Sequence, residues 1–353
     1  MRVTPSLSIA AASLWLPDTV STAEEAAARG AVRLRTAREE GIVQLPQCHD
    51  RTVPGMVLEA ARAALARAGR TAGDIDLLLH SWAFDRGQGH WLPHYRIAGL
   101  LGSRRCHAVG IRQECNGGAG ALEAGAARMI ADRALTTVLI TSGDNFTELH
   151  CDRWRGMAVG TPLGDGAAAL VLTRGAGPLV VEAIASVSDP SIESDFPSRD
   201  PFTPPGGADL RPLAEVSDNW RIQERLRSCL ERAALQVLEE TGIAPSDPSI
   251  RVVLPARSGR TGVATVIIPA LPAPLREKVR LYGSHTGHLG AGDLLANVAD
   301  VLDGTPPPPG SRALFLSTGM GSIATCLLVR AEDATGRHRP GAAPARRSGE
   351  PAR

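Results

Sequence analysis

Hydrophobic and polar positions fall into two alternating rhythms along this chain of 353 residues. Short apolar runs bounded by turn residues predict strands at 7–14, 75–79, 107–111, 135–141, 179–186, 250–254, 313–317 and 323–329. A tight turn at Gly164-Asp165-Gly166 leads into another such run through Leu172. Between them, amphipathic spacing predicts helices over 57–68 and 222–241, small residues one over 119–131, the Glu and Ala content of a polar stretch one over 22–40, and further helices are expected over 294–302 and near 97–101. Gly69, Gly242 and Gly304 stand where helices 57–68, 222–241 and 294–302 should stop. Strands separated by helices predict an α/β protein.

Two stretches escape both rhythms. Residues 189–218 are rich in Pro, Asp and Ser and predict a surface excursion. Residues 331–353 carry Arg, Pro, Gly and Ala with almost no apolar content and predict a disordered tail. Pro306 to Pro309 predicts a rigid linker.

The pattern repeats once. Asp74-Ile75-Asp76-Leu77-Leu78-Leu79 is echoed by Ser249-Ile250-Arg251-Val252-Val253-Leu254. Gly118-Ala119-Gly120-Ala121-Leu122 is echoed by Gly290-Ala291-Gly292-Asp293-Leu294. Arg133-Ala134-Leu135 and Gly166-Ala167-Ala168 return as Arg312-Ala313-Leu314 and Gly321-Ser322-Ile323-Ala324. Chance similarity in an Ala- and Gly-rich chain could produce any one echo, but the order is the same across all four. The repeat predicts two related halves, 1–176 and 177–330, followed by the tail.

Composition narrows the function more than the fold. The formal net charge is +1, which gives no reason to expect nucleic acid or an anionic membrane as partner. Lys278 is the only lysine, so the positive charge is almost all Arg. Six cysteines (Cys48, Cys106, Cys115, Cys151, Cys229 and Cys326) lie scattered with no CxxC, which argues against a zinc site or disulfide scaffold and fits a reducing cytosol. The apolar run after Met1-Arg2 is short and closes on Pro17-Asp18, so it reads as a first strand rather than a leader.

One stretch carries candidate chemistry, Arg112-Gln113-Glu114-Cys115-Asn116-Gly117-Gly118. It joins a strand to a small-residue helix and so places Cys115 at a helix start, where backbone N–H groups favour a thiolate. Cys115 could equally be an inert packed thiol. In the second half the equivalent helix start carries Gly287-His288. Two related halves packed about a pseudo-twofold axis would bring that imidazole to the thiol, the pairing that acyl-thioester chemistry requires. Asp293 could orient His288 or could simply charge the first turn of its helix. His285 is an alternative base. His90 and His94 have metal-like spacing, but Gly89 and Pro93 interrupt the helix it would need, so no metal site is expected. The loop 81–95 reads as a pocket or dimer-interface wall. The glycines after Cys115 are not followed by Lys-Ser/Thr, which excludes a P-loop.

These residues resemble the thiolase superfamily, and within it the ketosynthase III (3-oxoacyl-acyl carrier protein synthase III) type. The resemblance runs over about residues 5 to 330. It rests on Leu16-Pro17, Cys115-Asn116-Gly117-Gly118, Gly164-Asp165-Gly166-Ala167-Ala168, Gly287-His288-Leu289-Gly290-Ala291-Gly292 and Gly319-Met320-Gly321. It implies a thiolase fold, a five-layer αβαβα sandwich of two similar halves, in a homodimer. It also implies an oxyanion hole from the N–H groups of Cys115 and Gly319.

The departures from that family bear on function. Ketosynthase III enzymes carry a His in a Pro-His-Gln-Ala-Asn segment, where this chain has Pro255-Ala256-Arg257-Ser258-Gly259. Their Asn follows a Tyr-Gly pair, where this chain has Tyr282-Gly283-Ser284-His285-Thr286-Gly287-His288. Without the first His, decarboxylative condensation lacks a donor for its enolate. The pattern resembles the ketosynthase III-like acyltransferases of bacterial natural-product pathways. It implies acyl transfer through Cys115, with His288 and Asp293, from acyl-coenzyme A or an acyl-phosphopantetheine carrier protein to a hydroxyl or amine of a small molecule. No permanently bound cofactor is implied, and the expected compartment is the cytoplasm. A condensing ketosynthase is the alternative, and a non-catalytic carrier-binding subunit a third reading.

Overall fold

The computed structural model describes residues 1–84, 91–147, 152–156, 161–195, 220–304, 307–320 and 322–333. The expected tail, except its first three residues, and most of the 189–218 excursion lie outside the described residues, as does His90.

Nine strands form one sheet. In chain order its members are β1 (Arg2–Trp15), β4 (Leu77–Ser81), β5 (His107–Ile111), β6 (Thr137–Asp144), β7 (Gly166–Arg174), β8 (Leu179–Ser188), β9 (Ile250–Leu254), β10 (Arg312–Gly319) and β11 (Ile323–Ala331). They lie side by side as β5-β4-β6-β7-β1-β8-β11-β10-β9. The repeat is visible in this order. In the first half, β5-β4-β6-β7-β1 places the third strand outermost, then second, fourth, fifth and first. In the second half, β9-β10-β11-β8 repeats second, fourth, fifth and first. The counterpart of the third strand shrinks to one parallel bridge, Val253 to Val279. Strand β1 joins the halves by pairing antiparallel with β7 on one side and β8 on the other.

Both faces of the strands are apolar because both are covered. Leu77 and Leu79, Val138 and Ile140, Leu170 and Leu172 share one buried cluster with Phe315, Leu327 and Val329 of the second half. Residues from helices Gly117–Ala131 and Asp293–Asp303 complete that cluster, so these two helices form the middle layer. The alternate positions Leu78, Leu139 and Val171 pack outward on helix Val53–Arg67. Val253, Leu314 and Leu328 pack outward on helix Trp220–Thr241. The layers run αβαβα, the fold expected from the sequence.

The two middle helices approach closely at their starts. A Cβ on Gly118 would lie 2.4 Å from the Ala291 carbonyl oxygen, so only glycine lets the backbones meet there.

Local structure departs from the sequence reading in three places. The expected helix over 22–40 is two short helices, Ala23–Ala28 and Leu34–Glu40, interrupted at Gly30, whose φ is +76°. Flanking them, β2 (Val20–Thr22) and β3 (Gln44–Pro46) pair as a separate two-stranded sheet. Residues 260–270, unassigned from sequence, are helical and contain a π-helical turn at Val263–Ile267.

A buried ion pair holds the loops beside the middle helices. Arg153 and Asp165 approach to 3.2 Å with side chains only 6% and 0% exposed. Asp165 also accepts the N–H groups of Cys48 and Phe146. Arg153→Met would leave a buried carboxylate without its cation. We expect a loss of about 3–5 kcal/mol, read as a lower denaturant midpoint. An unchanged midpoint would show that the pair contributes nothing net.

Candidate active site

Strand β5 ends at Ile111, and the chain turns through Glu114 into helix Gly117–Ala131. Glu114 has φ +49°, a left-handed conformation that a non-glycine residue adopts only at a cost. Asn116 N–H donates to the Gln113 carbonyl and Gly117 N–H to the Glu114 carbonyl, which closes the turn. The Asn116 side chain donates to Thr325 Oγ1 on β11 at 2.9 Å and to Gln113 Oε1 at 3.2 Å. Thr325 in turn meets Ser186 Oγ on β8 at 2.7 Å. The turn is thus bolted to strands of the other half. Cys115, at its apex, is 7% exposed and opens into a cavity of about 350 Å³.

His288 reaches the same cavity from the second half. Its backbone is held as a strand would be: His288 N–H donates to the Pro162 carbonyl, and its own carbonyl accepts Gly164 N–H. Its Nδ1 lies 2.6 Å from Asp293 Oδ2. Asp293 Oδ1 accepts Leu289 N–H, and Oδ2 also accepts Arg257 N–H. One Asp293 oxygen holds the imidazole and the other ties down the turn before its helix, whose first turn has no side-chain cap. With Nδ1 committed to Asp293, the imidazole shares the cavity wall with Cys115, whose sulfur is close enough to act on its charge. Burial alone would pull the imidazole down. The Asp293 charge, the Cys115 sulfur and the bonds to both outweigh burial and hold it well above its ordinary value.

Gly319 ends β10 against the turn. A Cβ there would come within 3.0 Å of the Asn116 nitrogen. Gly319 lines the cavity together with Cys115, His288 and Ala256. His285 sits in a one-turn 3₁₀ helix, is exposed, and does not line the cavity. His94 is on helix Pro93–Leu101, buried beside Tyr95. Among the described residues, no group of three or more His, Cys, Asp or Glu could hold a metal ion.

Two residues near the site were not singled out from sequence. Asp144, at the end of β6, is fully buried, and burial pushes its carboxyl up to about 7. It accepts N–H groups from Ala83, Phe84 and Ala291, tying the loop after β4 to the second middle helix. Arg257 is buried and lines the cavity. A buried arginine beside an apolar strand has no periodic signature in the sequence.

The arrangement offers a thiol and an imidazole open to one cavity, with a buried carboxylate behind the imidazole. The family described as 3-oxoacyl-[acyl-carrier-protein (ACP)] synthase III matches residues 109–188, which contain the Cys115 turn. A curated β-ketoacyl-[acyl-carrier-protein] synthase III of Bordetella petrii is 28% identical over 189 residues, 50% of this chain. The chain matches about half the length of that relative, 54%. Among solved structures, ChlB3, described as an acyltransferase, superposes with a TM-score of 0.81 at 28% identity, covering 93% of this chain and 98% of its own. The 3-oxoacyl-[acyl-carrier-protein] synthase III of Aquifex aeolicus superposes with a TM-score of 0.75 at 19% identity, covering 92% and 99%. AbyA1, a tetronic acid condensing enzyme, gives 0.76 at 20%, covering 92% and 100%. The last two speak to the fold alone. Fold, turn and these likenesses agree: the chain is similar to the ketosynthase III type over residues 109–188 and shares the fold of such proteins over most of its length.

Proposed function

We propose that the chain is an acyltransferase that moves an acyl group from a coenzyme A or carrier-protein thioester, through acyl-Cys115, to a hydroxyl or amine of a small molecule. The observation that carries this reading is the Cys115–His288–Asp293 line, at a cavity that Ala256 also lines; the resemblance implies that Ala256 replaces the histidine of condensing ketosynthases. The likeness to ChlB3 supports it.

The Cys115 sulfur attacks the thioester carbonyl carbon, and the N–H groups of Cys115 and Gly319 hold the developing oxyanion. The donor's C–S bond breaks, and its sulfur leaves with the proton from His288. Having given up its proton, the neutral imidazole can accept another. It takes one from the acceptor hydroxyl as the oxygen attacks the acyl carbon. The acyl–Cys115 bond then breaks, restoring the starting pair. Asp293 keeps Nδ1 protonated and the ring turned toward sulfur throughout.

This protein is expected to work as a homodimer in the cytoplasm and to hold no permanent cofactor. Among the described residues, no helix is long and apolar enough to cross a membrane. The transferase reading makes a prediction opposite to that of the condensing one. Given malonyl-carrier protein and an acyl primer, the protein should release no carbon dioxide and form no β-keto product, because the enolate lacks a donor worth about 100–1,000-fold in rate. Steady carbon dioxide release coupled to product would overturn the transferase reading in favour of condensation.

A further inference from the structure

Helix Asp293–Asp303 carries three polar side chains on one stripe: Asp293, Asn297 and Asp300, spaced four and three residues apart. All three grip the segment after β9. Asp293 Oδ2 accepts Arg257 N–H at 2.6 Å, and Asn297 Nδ2 donates to the Pro255 carbonyl at 2.8 Å. The Arg257 guanidinium reaches back along the same stripe. Its Nε donates to Asn297 Oδ1 at 3.0 Å, and Nη2 pairs with the Asp300 carboxylate. Its Nη1 donates to Thr286 Oγ1 at 3.1 Å, and that hydroxyl donates to the Gly287 carbonyl at 2.9 Å. The guanidinium therefore spans the two pieces of chain that carry His288 and Asp293, the turn 286–287 on one side and the helix on the other.

We propose that Arg257 is a positioning residue for the proposed transferase site, clamping the His288 turn to the Asp293 helix so that the imidazole keeps its bond to Asp293. Its side chain is 1% exposed and its forked donors each meet a different partner, a geometry that lysine cannot reproduce. Asp293 and His288 lie only five residues apart, and the chain between them turns through Gly290 at φ +63°. Such a turn does not by itself hold a 2.6 Å bond, whereas a buried fork anchored on both sides does. The proposal rests on the transferase reading only for its kinetic consequence; the clamp itself is testable without turnover.

The test is the titration of the His288 ring by NMR in the free protein, its signal identified by its absence in His288→Ala. The ring is faced by Asp293, Cys115 and, more remotely, the Asp144 carboxyl. Loosening the clamp weakens the Asp293 bond and leaves the other two in place. In Arg257→Met the His288 midpoint should fall by about one pH unit, a tenfold loss of proton affinity. Arg257→Lys should fall part of the way. Asp300→Asn, which keeps the guanidinium's shape partner, should fold and move the midpoint in the same direction. Transfer from acyl-Cys115 should slow about 10- to 100-fold in Arg257→Met, as expected when a base is misplaced. A folded Arg257→Met or Asp300→Asn whose His288 midpoint equals that of the unaltered protein would overturn the clamp. Failure of the transferase reading would instead appear as no acyl transfer by the unaltered protein, with the midpoint shift intact.

Discussion

Incubation with a reactive acyl-coenzyme A should add a single acyl mass to the protein, carried on the peptide that contains Cys115. The other described cysteines are poor competitors. Burial raises the Cys48, Cys229 and Cys326 thiols, the last most strongly, which leaves them mostly protonated and slow to attack. Cys106 lies off the cavity, its sulfur turned toward the Ser103 carbonyl. Cys115 opens into the cavity and faces an imidazole. Cys115→Ala should abolish labelling completely while leaving the thermal midpoint near its starting value, since the residue belongs to a small hydrophobic cluster with Phe146 and Leu163, flanked by Phe84, apart from the main core. Acyl mass on any other cysteine, or none across a broad thioester panel, would end the covalent mechanism.

His288→Ala should separate the two half-reactions. Attack on the donor needs the sulfur and an oxyanion hole; the departing thiolate, which His288 protonates in the unaltered protein, can take its proton from water instead. Attack by a hydroxyl on acyl-Cys115 needs a base, and general-base help is worth about 100- to 10,000-fold. The acyl-enzyme should therefore form and persist, with its transfer to acceptor slowed by that order. Time-resolved mass measurement of acyl-Cys115, with and without acceptor, reads this directly. A variant that discharges its acyl group as fast as the unaltered protein would remove His288 from the mechanism and return attention to an external base.

The repeat explains why so much of the site could be read from residues alone. Four echoed segments became β4 and β9, the two middle helices, β6 and β10, and β7 and β11. Because the halves pack about the middle helices, matching helix starts meet, and the thiol of one and the imidazole of the other share a cavity. A local rule, Cys at a helix start, gained weight from a global one. The small local errors have local causes. Gly30 breaks a helix that composition favours, and the π-helical turn at 263–267 lies in a run whose Val and Ile content resembles a strand.

By itself the sequence determined the α/β class, the strand positions, the two-fold repeat and the place of Cys115 and His288 at echoed helix starts, because periodicity and repeat order are properties of the chain. Only the tertiary structure decided which roles Asp293 plays, that His285 faces solvent, and that Arg257, Asp144 and Thr325 surround the site. Those assignments depend on contacts between residues as much as 209 positions apart, as between Asn116 and Thr325. A buried polar side chain is placed by its partners' geometry, and no spacing rule along the chain encodes where those partners will be.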